Sequence, residues 1–223
     1  MSKVLFIVTA ARTWTLSDGT AHPTGYWAEE LLTPYRLLTD AGHDVSFATP
    51  GGVAPIADEA SSTGDSGAER SALAAIVGLA DPLSLDVVDV SSYDAVFYPG
   101  GHGPMEDLAQ DAKSGALIGQ LLDAGKPLAF VCHGVAALLA SKRSDGTLAA
   151  AGRLVTAFSD EEEAQAGLAA RATWLLESTL RKGGVGVEIA EPWADHVVVD
   201  NNLVTGQNPQ SSASVAKALL ELL

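Results

Sequence analysis

Cysteine is almost missing from this chain: Cys132 is the only one in 223 residues. One thiol cannot close an internal disulfide, which fits a reducing compartment and leads us to expect a cytoplasmic protein. Basic residues are scarce as well, 13 Lys and Arg against 28 Asp and Glu, for a formal net charge of −15. That balance repels phosphate backbones, so nucleic acid is not an expected partner. No apolar run reaches the length of a membrane-spanning helix. The short run after Met1 lacks the small-residue cleavage site of a secretory leader and reads as a first strand. The five histidines, with Asp195 and Asp200, show no metal-ligand spacing. With no repeat and no linker composition, residues 1–223 read as one domain.

What is present is an ordinary globular composition, 47% hydrophobic, in which strand-like and helix-like segments alternate. Val4 to Thr9 is a continuous apolar run with β-branched residues, as in a central parallel strand. Arg12 to Thr24 reads as a polar loop. Trp27, Leu31, Tyr35 and Leu38 recur at helical spacing over Tyr26 to Asp40, closed by Gly42. His43 to Thr49 is a second strand. Pro50 to Gly67 is irregular, a surface excursion or a loop contacting a second copy. Residues 69–80 are expected to be helical, Asp94 to Tyr98 a strand, Met105 to Ala124 one helix, and Pro127 to Val131 a buried strand. Arg153 to Ala157 is a short strand, 161–182 a helix, then come short strands at Val185 to Ile189, His196 to Val199 and Leu203 to Thr205, and a closing helix from Ser211. The alternation predicts an α/β fold with a mostly parallel sheet.

Cys132 sits at the end of the apolar run Pro127-Leu128-Ala129-Phe130-Val131 and is followed by His133, Gly134 and a helix-like stretch. Strand, sharp turn and helix with a reactive side chain at the turn form a nucleophile elbow. An isolated cysteine is more often a buried structural residue; the small glycine after the Cys-His pair and the turn it permits favour a nucleophile. The helix N-terminus that follows is expected to favour the thiolate.

Sites in open α/β sheets form beyond the carboxyl ends of strands, where three loops are expected to meet: Thr9 to Thr24, Pro99 to Pro104, and Cys132 to Gly134. In Gly100-Gly101-His102-Gly103 the backbone N–H of Gly101, paired with that of His133, would form an oxyanion hole; His102 itself reads as an exposed turn residue. The His133 ring is a candidate base, although side chains adjacent at an elbow usually diverge. Glu30 follows Trp27 on the first helix, where a solvated charge is the usual outcome. Asp160-Glu161-Glu162-Glu163 suits a helix N-terminus.

Taken together, Thr24-Gly25 with Glu30, Gly101-His102-Gly103, Val131-Cys132-His133-Gly134, Thr156 to Glu163, and Val204 to Pro209 resemble the DJ-1/PfpI superfamily over nearly the whole chain. The resemblance is nearest to its glutathione-independent glyoxalases (glyoxalase III), also described as holding chaperones or protein deglycases. It implies a flavodoxin-like three-layer sandwich, the fold of class I glutamine amidotransferases. It places the helix-borne glutamate on Glu30 and the acidic residue that orients the histidine on Glu163, with Asp160 as the alternative register. It implies a small dicarbonyl aldehyde as substrate, a homodimer, and no metal or organic cofactor. Other activities that it implies are client holding, deglycation, oxidation sensing through Cys132, and peptide or amide hydrolysis by a Cys-His-Glu triad. The chain departs from the amidotransferases, which place a histidine two residues before a glutamate near the domain end. Here Val197 and Val198 follow His196, which argues against glutamine hydrolysis. Trp193 in Glu191-Pro192-Trp193 also matches a segment of the family and is given no chemistry.

Overall fold

The computed structural model describes residues 1–62 and 66–223. Its strands are β1 (Lys3–Ile7), β2 (Thr13–Thr15), β3 (Ala21–Pro23), β4 (Asp44–Thr49), β5 (Leu83–Ser84), β6 (Ala95–Tyr98), β7 (Leu128–Val131), β8 (Leu154–Val155), β9 (Gly186–Val187), β10 (Val197–Asp200) and β11 (Leu203–Gly206). Its helices are α1 (Ala28–Asp40), α2 (Ser66–Ala74), α3 (Val77–Ala80), α4 (Gly103–Glu106), α5 (Ala112–Ala124), α6 (Asp160–Gln165), α7 (Leu176–Lys182) and α8 (Ser212–Leu220).

Seven strands make the central sheet in the order β10-β11-β7-β6-β1-β4-β5, parallel except for the β10–β11 pair. Its heart, β4-β1-β6-β7-β11, is the doubly wound order of flavodoxin-like folds. The order reverses at β1, so right-handed crossovers send α1 and α5 to opposite faces. α1 packs against α8 on one side, while α5 packs against β7 and the turn after it on the other. The apolar runs follow from this layering: β6 and β7 are covered on both faces and buried throughout. Phe6 stacks on Phe97, and Tyr98 on Phe130, across neighbouring strands.

Several expected segments divide. The helix expected over 105–124 is two, α4 and α5, because Asp111 turns the chain and caps α5 by accepting from the Ser114 N–H at 2.7 Å. That expected over 161–182 is α6 and α7 with turns between, and that over 69–80 is α2 and α3. The polar loop Arg12 to Thr24 contains the β2–β3 hairpin. Of Pro50 to Gly67, residues 63–65 lie outside the described residues. The part before them packs inward: Tyr26 and Ala57 form a parallel bridge, and Thr24 Oγ1 donates to Asp58 Oδ2 at 2.8 Å.

Candidate active site

β1 and β6 flank the point where the strand order reverses, which is the ligand crevice of open α/β sheets. The loops after β1, β6 and β7 converge there, together with the first turn of α1 and with α6. Cys132, the first residue after β7, has a φ of 55°, a left-handed conformation that costs a non-glycine residue about 1–3 kcal/mol. Gly134 lets the elbow press onto the end of β6; a Cβ there would stand 2.5 Å from the Tyr98 carbonyl oxygen. The chain leaves the elbow as a 3-10 helix over Cys132–Ala140 and not as an α-helix.

His133 Nδ1 lies 3.3 Å from Cys132 Sγ, and its Nε2 lies 2.7 Å from Glu163 Oε2. The expected divergence of the two side chains does not occur, because the left-handed turn at Cys132 replaces the extended backbone in which neighbours point apart. An ionised carboxylate only accepts, so Nε2 carries the imidazole proton and Nδ1 faces the thiol as an acceptor.

Glu163 rides on α6, whose start is a capping box: Ser159 Oγ accepts from the Glu162 N–H, and the Glu162 carboxylate accepts from the Ser159 N–H. Asp160, on the same helix, turns away and accepts from the Ser178 hydroxyl. Of the two registers, it is Glu163 that meets the imidazole. His102 corrects the expectation of an exposed turn residue: its Nε2 lies 2.9 Å from Glu163 Oε1, its ring stacks on Trp14 of β2, and its centroid is 4.1 Å from that of His133. One carboxylate therefore holds two imidazoles. Burial alone would raise Glu163, but the adjoining His133 and the hydrogen bonds from both rings outweigh it and hold the carboxyl well below the ordinary range. Burial, then the neighbouring His102, lowers His133 and keeps its ring neutral.

Glu30 lies in the first turn of α1, fully buried instead of solvated. Its Oε2 accepts from the Gly100 N–H at 2.7 Å, while Oε1 is buried with no hydrogen-bond partner among the described residues. The carboxyl and the Cys132 thiol are close enough to shift each other's titration. Burial pushes Glu30 up to about 8, against the opposing pull of Cys132 and of the Gly100 N–H. Burial and then the Glu30 charge push the Cys132 thiol well above its ordinary value, against a hydrogen bond from the His133 N–H. The expected thiolate-favouring helix terminus is thus overruled by desolvation.

The thiol opens onto a cavity of about 80 Å³ walled by Trp27, His102, His133, Phe158 and Trp193, with Gly101 at its edge. Gly101 has a φ of 87° and so little room that a Cβ would stand 2.5 Å from the Gly25 carbonyl oxygen. Among the described residues its N–H has no protein acceptor, and it borders the same cavity as Cys132 and His133. His102, His133 and Glu163 are also a metal-type cluster. A zinc ion at about 2.0–2.1 Å from each would hold the ligand atoms farther apart; spacings of 2.7–2.9 Å are those of N–H···O hydrogen bonds.

The geometry thus brings together all of Cys132, His133, Glu30, Glu163 and Gly101. Sequence reasoning missed His102, Phe158 and Trp193 as parts of this site. Periodicity carries no trace of the stack on Trp14, and only the Gly-His-Gly turn placed His102 near the crevice.

The sequence pattern of the DJ-1/PfpI family matches residues 23–222. The glutathione-independent glyoxalase hsp3101 of Schizosaccharomyces pombe is 30% identical over 89% of the chain and 87% of its own length. The protein/nucleic acid deglycase HchA of Staphylococcus aureus is 31% identical over 99% and 80%. Two further relatives, 33% and 36% identical, are matched over only 65% and 64% of their length. Glyoxalase III of Candida albicans has the same fold, with a TM-score of 0.85 at 24% identity, covering 100% of this chain and 97% of that one.

Proposed function

Because the chain belongs to the DJ-1/PfpI family, we propose that it is a glutathione-independent glyoxalase that converts methylglyoxal or glyoxal to the 2-hydroxy acid. The observation that carries this reading is the surroundings of Cys132, with the His133 acceptor nitrogen 3.3 Å from Sγ and the buried Glu30 carboxyl, held on the Gly100 N–H beside the elbow, close enough to shift the thiol's titration. A hydrolase needs the first of these groups; moving hydrogen between two carbons needs a second base as well. The name of the S. pombe relative supports the same activity.

In the proposed reaction the Cys132 sulfur bonds to the aldehyde carbon while His133 Nδ1 takes the thiol proton. The carbonyl oxygen becomes an alkoxide steadied by the N–H groups of Gly101 and His133, and His133 returns the proton to it, giving a hemithioacetal. Glu30, as carboxylate, removes the hydrogen of that carbon, and an enediol forms as the neighbouring oxygen gains a proton. Return of a proton to the second carbon and loss of one from the first oxygen give a 2-hydroxyacyl thioester. Water then hydrolyses it, releasing the 2-hydroxy acid and the thiol. Nothing is oxidised or reduced overall, and water is the only co-reactant. Glu163 keeps the His133 proton on Nε2, so that Nδ1 stays available. The small cavity suits a three-carbon aldehyde better than the macromolecular adducts implied by the name of the S. aureus relative.

Purified protein incubated with methylglyoxal and no added thiol should form lactate, and Cys132→Ala should form none above background. Wild type giving no more lactate than Cys132→Ala would end this reading.

A further inference from the structure

Trp193, like Cys132, is a left-handed side-chain-bearing position at the cavity. Its φ is 65°, a genuine outlier for a bulky residue. It stays there because two polar contacts fix it. Its backbone N–H donates to Glu162 Oε1 at 2.8 Å, and its indole Nε1–H donates to Gln165 Oε1 at 2.7 Å. Its ring meets Phe158 edge-on and walls the cavity over Cys132, while 38% of the residue remains exposed to solvent.

Glu162 is fully buried. Its Oε2 accepts from the Ser159 N–H and hydroxyl, which the capping box explains. Its Oε1 accepts from the Trp193 N–H and from Asn208 Nδ2, both at 2.8 Å; capping explains neither. The carboxylate ties α6, the Trp193 segment and the loop after β11 to one point. A charge withdrawn from water is costly, and here four hydrogen bonds hold it.

We infer that Trp193 is a size-selecting wall, limiting what reaches Cys132 Sγ to small electrophiles, and that Glu162 is the positioning residue that keeps it in place. The inference rests on Cys132 being the reacting group, as in the proposed glyoxalase, but not on the identity of the aldehyde.

The sole cysteine gives a test independent of turnover. N-methylmaleimide and N-phenylmaleimide share one reacting double bond: the thiolate sulfur bonds to one carbon, and the other takes a proton from water. Intact mass gives both rates, and their ratio cancels the thiolate fraction. In Trp193→Gly, where glycine also relieves the left-handed strain, the phenyl-to-methyl ratio should rise about tenfold, as steric discrimination in an apolar pocket allows. Glu162→Gln should raise it less, and Trp193→Phe, which keeps a ring, should stay near wild type. An unchanged ratio in Trp193→Gly overturns the wall; a shifted ratio there with none in a folded Glu162→Gln overturns the role of Glu162. Turnover of phenylglyoxal relative to methylglyoxal should move with the same variants. If wild type forms no lactate, the glyoxalase reading fails, while the maleimide ratio still decides for or against the wall.

Discussion

Glu30 and Glu163 are two carboxyls in one site whose surroundings push them in opposite directions. Glu30 is raised to about 8 by burial, and Glu163 is held low by two imidazoles. Such divergence separates a proton-carrying group from a fixed negative charge. Glu30→Gln should therefore cut lactate formation by about 10²–10⁴-fold, the usual worth of a general base, while Cys132 still reacts with N-methylmaleimide. The carboxylate is the active form, so wild-type kcat/KM should step upward as pH passes about 8, and the variant should lack that step. Stability has the opposite sign. With a folded value above the ordinary 4.5, Glu30 contributes stability that is complete below about 4.5 and lost as pH rises through about 8. Glu30→Gln should thus raise Tm by several degrees at pH 9 and hardly at pH 5. Equal gains at both pH values, or turnover retained in the variant, would refute the assignment.

Helix α6 has six residues, too few to persist without help, yet it carries Glu163. Its capping box is what holds the first turn, so Ser159→Ala should cost about 1 kcal/mol of stability, measured by urea denaturation. The same change should lower kcat more than it raises KM, because it loosens the group that orients His133. A full stability loss with unchanged turnover would show that α6 tolerates fraying without moving Glu163. The elements that sequence exposed most clearly were those with one cause. The apolar run of β7 and the Gly134 turn announced the elbow, and the Trp27-to-Leu38 spacing announced α1. The composite elements were hidden. α4 and α5 follow one another with no Gly or Pro between them to mark the break, and β2 is a three-residue strand whose Trp14 is buried by stacking on His102. For the candidate site, the motif residues were legible because the turn needs small residues at fixed offsets. The burial of Glu30 was not, since a carboxylate beside leucine on a helix is ordinarily solvated; nor was the Glu162–Trp193 tie, which joins residues 31 apart in sequence.

At the scale of the whole molecule, alternation of strands and helices yields a parallel sheet, but not the reversal at β1 that opens the crevice; that comes from which neighbours pair. The molecule carries a net charge of −15, while the proposed aldehyde is neutral. A neutral molecule is not steered by that field, so kcat/KM for methylglyoxal should be nearly flat with added salt. Charged probes of the same thiol should respond. Iodoacetamide and iodoacetate both lose iodide as the Cys132 sulfur bonds to carbon, and they differ in one negative charge. At about 0.01 M salt the field reaches about 30 Å, and at 1 M about 3 Å. The iodoacetate-to-iodoacetamide rate ratio should therefore climb several-fold across that range. It should remain below the ratio for free cysteine, because Glu162 and the ionised fraction of Glu30 act on the thiol from within the buried site, where salt does not screen them. A ratio independent of salt would locate all of the repulsion in the cavity. A ratio that reached the free-cysteine value would mean that the buried carboxylates exert no field at Sγ, contrary to the coupling of Glu30 with Cys132.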